Sequence, residues 1–247
     1  MGLSISTSNV LIGKTPTITD AGVSEDANNI SDPDHSLNYT CGSSASNFAV
    51  SYGAQSNISY VGVSGHNAST PASATVQLYD GALLIDSVVI KRNHNIMFTF
   101  PSMTFTDLKV VFVTNPVSYQ MTVSFIAAGQ HLTIKSGEQA GYNRAWLNRS
   151  TVQNITTNLQ VAPVAGTMKA VSQKGSLSFP NQMAAFSRDE WQDFIDFSFD
   201  QPFFIKELES NPESSYTCFN PKHDIKAHSS TRNLNVIMMK FTAYTGL

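Results

Sequence analysis

Hydrophobic and polar residues alternate along most of the chain, in short runs that end at Gly, Pro, Asn or Ser. Because successive side chains of a β-strand point to opposite faces, this pattern predicts strands with one buried face. In the run that ends at residue 127, Met121, Val123 and Phe125 are predicted to share the buried face. The runs in the first half of the chain span residues 46–52, 58–64, 73–79, 82–90, 95–100, 107–114 and 119–127.

Turn residues separate these runs at spacings that are typical of a β-sandwich or barrel. The pair Asp80-Gly81 lies between two of the runs, and it predicts a hairpin because a tight hairpin turn needs positive φ. Residues 15–45 differ, since they are polar and contain few aromatic anchors. We expect long loops around one or two short strands there, and such loops usually serve a function or an interface.

The second half of the chain combines further strands with one helix. Residues 188–197 have the spacing of an amphipathic helix, with Trp191, Phe194 and Ile195 on one face and Ser187 as the predicted N-cap. Residues 201–208 and 234–244 are predicted to pair as strands around a short central strand, SYTCF. The remaining predicted strands span residues 130–135, 151–161, 167–172 and 175–179.

Together these elements predict a mainly β protein in two parts. Residues 1–135 are predicted to form a jelly-roll β-sandwich, and residues 136–247 a second β-rich domain with one short helix. The length of 247 residues fits one large or two modest domains.

Composition narrows the class of partner. Charged residues make up 13% of the chain, about half the share of roughly 25% in an average protein. The net charge of −3 argues against nucleic acid as a partner. No apolar run approaches the roughly 20 residues that span a bilayer, so we expect no membrane insertion. The start lacks the pattern of a signal peptide, and Cys41 and Cys218 are therefore expected to be free, buried thiols.

Motifs for catalysis are missing from the sequence, which has no G-x-S-x-G, no Walker loop, no H-E-x-x-H and no C-x-x-C. We therefore predict a protein that is not an enzyme and has no cofactor. The helix contains three acidic residues, Asp189, Glu190 and Asp193. Two of them could form an acid/base pair for catalysis, although a favourable interaction with the helix dipole is the preferred interpretation.

Two clusters could hold a metal, although no metal is predicted. His223 and His228 are five residues apart without a third ligand nearby. A calcium ion in the 15–45 loops stays an open alternative to ordinary turn chemistry. Its candidate ligands are Glu25, Asp26, Asp32 and Asp34.

Ligand-binding residues are predicted at two places. Tyr142, Arg144 and Trp146 could form a platform for stacking a sugar ring, and packing in the core or at a domain interface is the alternative. His66 closes an apolar strand and begins a Gly/Asn turn with Asn67. On physical grounds it caps backbone groups at the strand end, since no Ser, Cys or Asp partner is placed for catalysis.

The stretch around this turn, SYVGVSGHNASTPASATVQLYDGALL, resembles a pattern in bacteriophage minor tail and tail-associated proteins with a galactose-binding-like, discoidin-type domain. There a strand ends in a Gly-His-Asn turn and leads to an Asp-Gly hairpin. NNISDPDHSLNYTCGSSASNFAVSYG is similar to the opening of such a sandwich, and FTDLKVVFV with YQMTVSFIAAGQHLTI to its closing strands. The resemblance covers roughly residues 5–135, and EWQDFIDF, PFFI and KFTA extend it more weakly.

This resemblance implies a structural component of a virion, in a tail, neck or baseplate. Its partners would be other virion proteins and copies of itself in an oligomer, and it would assemble in the host cytoplasm. The alternative is a module on the tail that binds a carbohydrate or receptor of the host surface, with His66, Asn67, Tyr142, Arg144 and Trp146 as candidate ligand-binding residues. The loops at 15–45 show almost none of the aromatic and arginine residues that sugar-binding relatives carry.

Overall fold

The computed structural model of the chain describes residues 2–19, 26–34, 37–41, 47–69, 74–113, 120–134, 141–143, 149–152, 170–227 and 234–244. The predicted fold class, mainly β with a sandwich followed by a β-rich region, is confirmed. The first strands are β1 (Leu3–Ser6), β2 (Thr17–Thr19), β3 (Tyr39–Thr40), β4 (Asn47–Ser51), β5 (Gln55–Ser64), β6 (Thr75–Asp80), β7 (Leu83–Val89), β8 (Ile96–Phe105) and β9 (Leu108–Val113).

The later elements are strands and two helices. The strands are β10 (Thr122–Val123), β11 (Phe125–Gly129), β12 (His131–Ile134), β13 (Gly141–Asn143), β14 (Arg149–Val152), β15 (Ala170–Met183), β16 (Phe203–Lys206), β17 (Ser215–Ala227) and β18 (Leu234–Tyr244). The helices are α1 (Ala184–Asp189) and α2 (Trp191–Asp200), and a 3₁₀ helix spans Ala27–Ser31.

Two antiparallel sheets form a β-sandwich. One has five strands in the order β2-β4-β9-β6-β7, and the other has three in the order β11-β5-β8. The alternation in the sequence places one face of each strand between the sheets. The core there is built of aliphatic and aromatic side chains, among them Phe48, Val50, Val61, Val63, Val76, Leu78, Ile96, Phe98, Val110, Phe112, Ile126 and Ala128.

The Asp80-Gly81 hairpin is confirmed. Asp80 pairs with Leu83, and Gly81 has a φ of 57°, a conformation that glycine adopts without cost. One Asp80 carboxylate oxygen accepts hydrogen bonds from the Thr106 backbone N–H at 2.7 Å and from the Thr106 hydroxyl at 2.6 Å. The hairpin is thereby tied to the neighbouring turn at the same end of the sandwich.

The predicted strand 119–127 is interrupted at Ser124. Its backbone N–H points to the carbonyl oxygens of Ser64 and Gly65, at 3.3 and 3.2 Å. As a result Val123 packs in the sandwich core, whereas Phe125 packs on the opposite side of the three-stranded sheet. The prediction that Met121, Val123 and Phe125 share one face was therefore wrong for Phe125.

A third sheet contains eight strands, in the order β12-β1-β16-β17-β18-β15-β13, with β14 also paired to β15. Both helices cover one face of it, and its core there includes Leu3, Ile5, Leu177, Phe179, Trp191, Phe194, Phe203, Ile205, Ile237 and Met239. Strands β1 and β12 belong to this sheet although they lie in the range 1–135 that was assigned to the sandwich. The division at residue 135 stays a prediction, and the pairing of β1 with β16 crosses it.

The three-stranded sheet is buried on both faces, because its outer face packs against the eight-stranded sheet. Phe204 of β16 inserts there and stacks on Phe125, with ring centroids 6.2 Å apart. A Cβ at Gly62 would lie 2.8 Å from the Phe204 ring, so a glycine is needed at this crossing. Tyr60 and Met97 complete this buried cluster.

Polar groups at the same contact form a closed hydrogen-bond cycle. The Asn95 side-chain NH₂ donates to the Thr217 hydroxyl at 2.9 Å, which donates to the Ser64 hydroxyl at 2.8 Å. Ser64 in turn donates to the Asn95 side-chain oxygen at 3.1 Å. Since all three residues are buried, the cycle satisfies groups that would otherwise lose their hydrogen bonds to water. The sandwich and the eight-stranded sheet are thus joined by specific contacts.

The predicted helix is present but divided. Ser187 lies inside α1 and is not an N-cap, and Glu190 separates α1 from α2. The apolar face of Trp191, Phe194 and Ile195 is confirmed as buried.

Among the strands of this half, 201–208 and 234–244 are not neighbours, because the central strand β17 is long and lies between β16 and β18. Predicted strands 167–172 and 175–179 form one strand, β15, in its described part. Most of the predicted strand 151–161 lies outside the described residues.

Candidate functional site

Several connections of the sandwich meet at one end. Strands β4 and β6 begin opposite Val113, the last residue of β9. At this end β8 and β11 also begin, and β5 ends at Ser64. We call the described segments 65–69, 90–95 and 120–124 the loop end. Rigid sheets that position such loops are a common arrangement for binding.

His66 is hydrogen-bonded to the backbone of the loop end through both of its ring nitrogens. Its Nδ1 accepts a hydrogen bond from the Ala68 backbone N–H at 3.3 Å, so its Nε2 carries the proton and donates to the His94 carbonyl at 2.6 Å. The side chain is only 4% exposed. Burial lowers the pKa of His66 from 6.5 to about 4, and the neutral ring is the form that fits. These contacts agree with the interpretation of His66 as a cap for backbone groups.

Asn67 and Asn93 join the three segments to one another. The Asn67 side chain donates to the Gln120 carbonyl at 3.1 Å and accepts from the Thr122 backbone N–H at 2.9 Å. The Asn93 side-chain oxygen accepts from the Ser69 backbone N–H at 2.8 Å. Each loop is therefore fastened to its neighbour by a short amide side chain.

The eight-stranded sheet supports the loop end from outside the sandwich. One carboxylate oxygen of Glu213, which precedes β17, accepts from the backbone N–H groups of Lys91 and Arg92 at 3.0 and 3.1 Å. The Met97 N–H donates to the Pro212 carbonyl at 3.0 Å nearby. A carboxylate that accepts from two N–H donors makes strong hydrogen bonds. Segment 90–95 is therefore bound by Glu213 on the side of the eight-stranded sheet and by His66 on the side of the sandwich.

The described ligand-binding candidates lie in two separate places. His66 and Asn67 are adjacent at the loop end, whereas Tyr142 lies in β13, at the far edge of the eight-stranded sheet opposite Leu177. Arg144 and Trp146 lie outside the described residues, as does the side chain of Tyr142. A sugar-stacking platform of these three residues stays a prediction.

Turn chemistry accounts for two of the candidate calcium ligands. The Asp26 carboxylate caps the 3₁₀ helix by accepting from the Asn28 backbone N–H at 2.9 Å. The Asp32 carboxylate accepts from the Asp34 backbone N–H at 2.8 Å. Glu25 lies outside the described residues. Within the ranges that the structure describes, no group of three or more His, Cys, Asp or Glu side chains could hold a metal.

His223 packs among aromatic rings, an environment that was not predicted from the sequence. Its ring lies 5.6 Å from that of Phe194 and 5.9 Å from that of Phe199, and its Nε2 is 3.1 Å from the Ser198 hydroxyl. Burial lowers its pKa to about 4. His228, the second residue of the proposed pair, lies outside the described residues.

Asp189, one of the three acidic candidates, pairs with exposed Arg188 at 2.7 Å. The two cysteines are free and buried, as expected. In the part of the chain that the structure describes, no helix is long and apolar enough to cross a membrane.

Sequence reasoning missed Asn93, Asn95 and Glu213, which organise the loop end. The only signal for the first two was the polar run Asn93-His94-Asn95 directly before a buried strand. Glu213 follows Pro212 in a segment without any pattern, and its partners are far away in the sequence.

No family model matches the chain, and no curated protein sequence matches it. Among solved structures, the chain is similar to a fucose-binding module of Streptococcus pneumoniae, at 15% identity and a TM-score of 0.40, over 49% of this chain and 94% of the module. It is also similar to chitosan-binding module 1 from a chitosanase/glucanase of Paenibacillus sp. IK-5, at 14% identity and a TM-score of 0.38, over 50% and 99% of the two chains. A mutant lectin-binding domain of lectinolysin in complex with Lewis b matches at 14% identity and a TM-score of 0.40, over 53% and 99%.

Proposed function

We propose that this chain is a non-catalytic binding protein that recognises carbohydrate at the loop end of its sandwich. The observation that carries the proposal is the hydrogen-bonded framework of His66, Asn67 and Asn93, which joins the three described segments of the loop end to one another. A fixed set of loops loses little conformational entropy when a ligand binds.

The chemistry of the loop end suits an uncharged, hydroxyl-rich ligand. Ser69, Asn67 and Asn93 are partly exposed there, and their amide and hydroxyl groups can both donate and accept hydrogen bonds. The three-stranded sheet is covered on both faces, so neither of its faces is open to a ligand. The resemblance of residues 5–135 to galactose-binding-like sandwiches has carbohydrate or receptor binding as its alternative implication, and the proposal adopts that alternative.

A glycan array probed with the full chain tests the proposal, followed by calorimetric titration of the best ligand. Asn67→Ala removes both hydrogen bonds to segment 120–122, and we expect roughly tenfold weaker binding because the loop is no longer held in place. Lys109→Ala, at the opposite end of the sandwich, is the matched control and should bind as the unaltered chain does. A blank array from folded protein would overturn the proposal.

A second candidate function is assembly, and strand β7 favours it. This strand is the edge of the five-stranded sheet, with β6 as its neighbour, and it exposes Leu83 by 65%, Leu84 by 46% and Val89 by 52%. An apolar edge strand with unpaired backbone groups is a ready surface for pairing with a second copy. Membership of a phage virion is the narrower version of this candidate and stays a prediction.

Light scattering over a concentration series tests assembly. Self-association that disappears in Leu83→Lys, and persists in Leu37→Lys at an exposed apolar site outside the five-stranded sheet, would support it. A chain that stays monomeric at every concentration would overturn it.

A further inference from the structure

A pocket of about 460 Å³ opens on the eight-stranded sheet. Strands β15, β17 and β18 line it, and three of its residues are lysines that are far apart in the sequence. The lining includes Lys174, Ser176, Asn220, Lys222, Lys240 and Thr242. We call these residues the lysine pocket.

The register of the strands puts the charged groups on one face. Lys222 pairs directly with Lys240, which in turn pairs with Ser176, and Lys174 pairs with Thr242. The alternate residues of β18, such as Met239 and Phe241, pack under the helices on the other face. All three lysines therefore lie on the face that the sandwich contacts near β16 and the start of β17.

Two of these charges, on Lys222 and Lys240, lie directly opposite each other in the sheet. Like charges in directly opposite positions of a sheet destabilise it. Within the described part of the chain, the ion pairs involve other residues than Lys222 and Lys240. Lys226, which follows Lys222 on the same face of β17, differs in this respect. Its ammonium group forms an ion pair with Asp224 at 2.8 Å.

The backbone of β17 shapes the pocket. Its pairing with β18 shifts between Phe219 and Lys222, and Asn220 within this bulge has a φ of 49°. Bulges that bend a strand and redirect its side chains are frequent next to functional sites. Here the bulge exposes the Asn220 side chain at the rim and brings Lys222 opposite Lys240.

We propose that the lysine pocket binds an acidic saccharide through its sulfate or carboxylate groups, an inference that rests on the proposed carbohydrate-binding function. The ammonium groups of Lys222 and Lys240 supply charge-assisted hydrogen bonds to the oxyanion, and Lys174 adds to the positive charge. The side chains of Ser176, Thr242 and Asn220 supply neutral donors and acceptors for hydroxyl groups. A volume of about 460 Å³ lies within the range of small-molecule sites.

The test measures binding of the full chain to four probes: a heparin oligosaccharide, a polygalacturonate oligosaccharide, neutral dextran and inorganic sulfate. The first two separate sulfate from carboxylate as the bound group. Replacing both Lys222 and Lys240 by Gln should weaken binding of the acidic saccharide at least ~10-fold, since each lost charge removes a strong hydrogen bond. Lys226→Gln is the matched control on the same strand and face, and it should keep the affinity of the unaltered chain.

Four outcomes would overturn the inference. Equal losses in the double variant and in Lys226→Gln would show diffuse attraction between charges and no site. Binding of inorganic sulfate without any acidic saccharide would give the pocket a different ligand. A neutral glycan bound at the loop end, with no acidic saccharide bound, would overturn the lysine pocket and leave the proposed function intact, whereas failure of every saccharide would overturn both.

Discussion

Replacement of His66 by Gln tests the role of the buried ring through the pH dependence of stability. In the unfolded chain the imidazole takes up a proton near pH 6.5, whereas burial lowers the pKa of His66 in the folded chain to about 4. The folded state is therefore fully stabilised above pH 6.5, and this contribution is lost as the pH falls towards 4. The difference between the two pKa values corresponds to roughly 3 kcal/mol of folding stability, at about 1.4 kcal/mol per pKa unit.

The assay is urea unfolding between pH 4 and 7.5, monitored by tryptophan fluorescence. At pH 7, His66→Gln should be less stable by about 1–2 kcal/mol, because Gln cannot reproduce both backbone hydrogen bonds of the ring. Below pH 5 the variant should equal or exceed the unaltered chain, since it has no ring to protonate.

His223→Gln is the matched control for this experiment. The pKa of His223 is also lowered to about 4. The variant should therefore lose the pH dependence of stability that His223 contributes and keep the part that His66 contributes. If the unfolding free energy of His66→Gln fell as steeply between pH 6.5 and 4 as that of the unaltered chain, the burial of a neutral His66 would be refuted.

Three further substitutions probe the backbone, the core and the lysine pocket. Gly65→Ala should destabilise the chain by more than Gly13→Ala in thermal unfolding, because both glycines have positive φ but only a Cβ at Gly65 would collide with a neighbouring side chain. Phe204→Ala should lower the free energy of unfolding by about 3–5 kcal/mol, while Phe199→Ala, 66% exposed, should change it by less than about 0.5 kcal/mol. Lys222→Gln should raise stability by a few tenths of a kcal/mol at low salt, and a gain that persists in 1 M NaCl would contradict the repulsion described.

Local patterns predicted the sandwich well, because its strands and turns are encoded by neighbouring residues. The Asp80-Gly81 hairpin needs only its own turn chemistry and the alternation beside it. The break at Ser124 could not be predicted in this way, since its cause is the approach of Ser64 and Gly65 from a distant strand. The same holds for Glu190, where the pattern of apolar residues continues although the helix is divided.

The candidate sites were predicted in part, for a similar reason. His66 and Asn67 stand out in the sequence because they form a turn at the end of an apolar strand. The lysine pocket gives no such signal, since Lys174, Lys222 and Lys240 meet only through the pairing of three long strands. The parts of the sites that were not predicted depend on contacts between residues far apart in the sequence. The same kind of contact determines the arrangement of the eight-stranded sheet.

Strands β1 and β12 are hydrogen-bonded neighbours, with Ser6 opposite His131. The entire sandwich is therefore an insertion into the connection between two adjacent strands of the other sheet. Its two ends meet where the Thr7 N–H donates to the Gln130 carbonyl at 2.8 Å. Domains whose ends are this close are common sites of insertion, because the chain around them keeps its course. A different domain could therefore be joined between Ser6 and His131, provided that it covered Phe204 and supplied hydrogen-bond partners for Thr217.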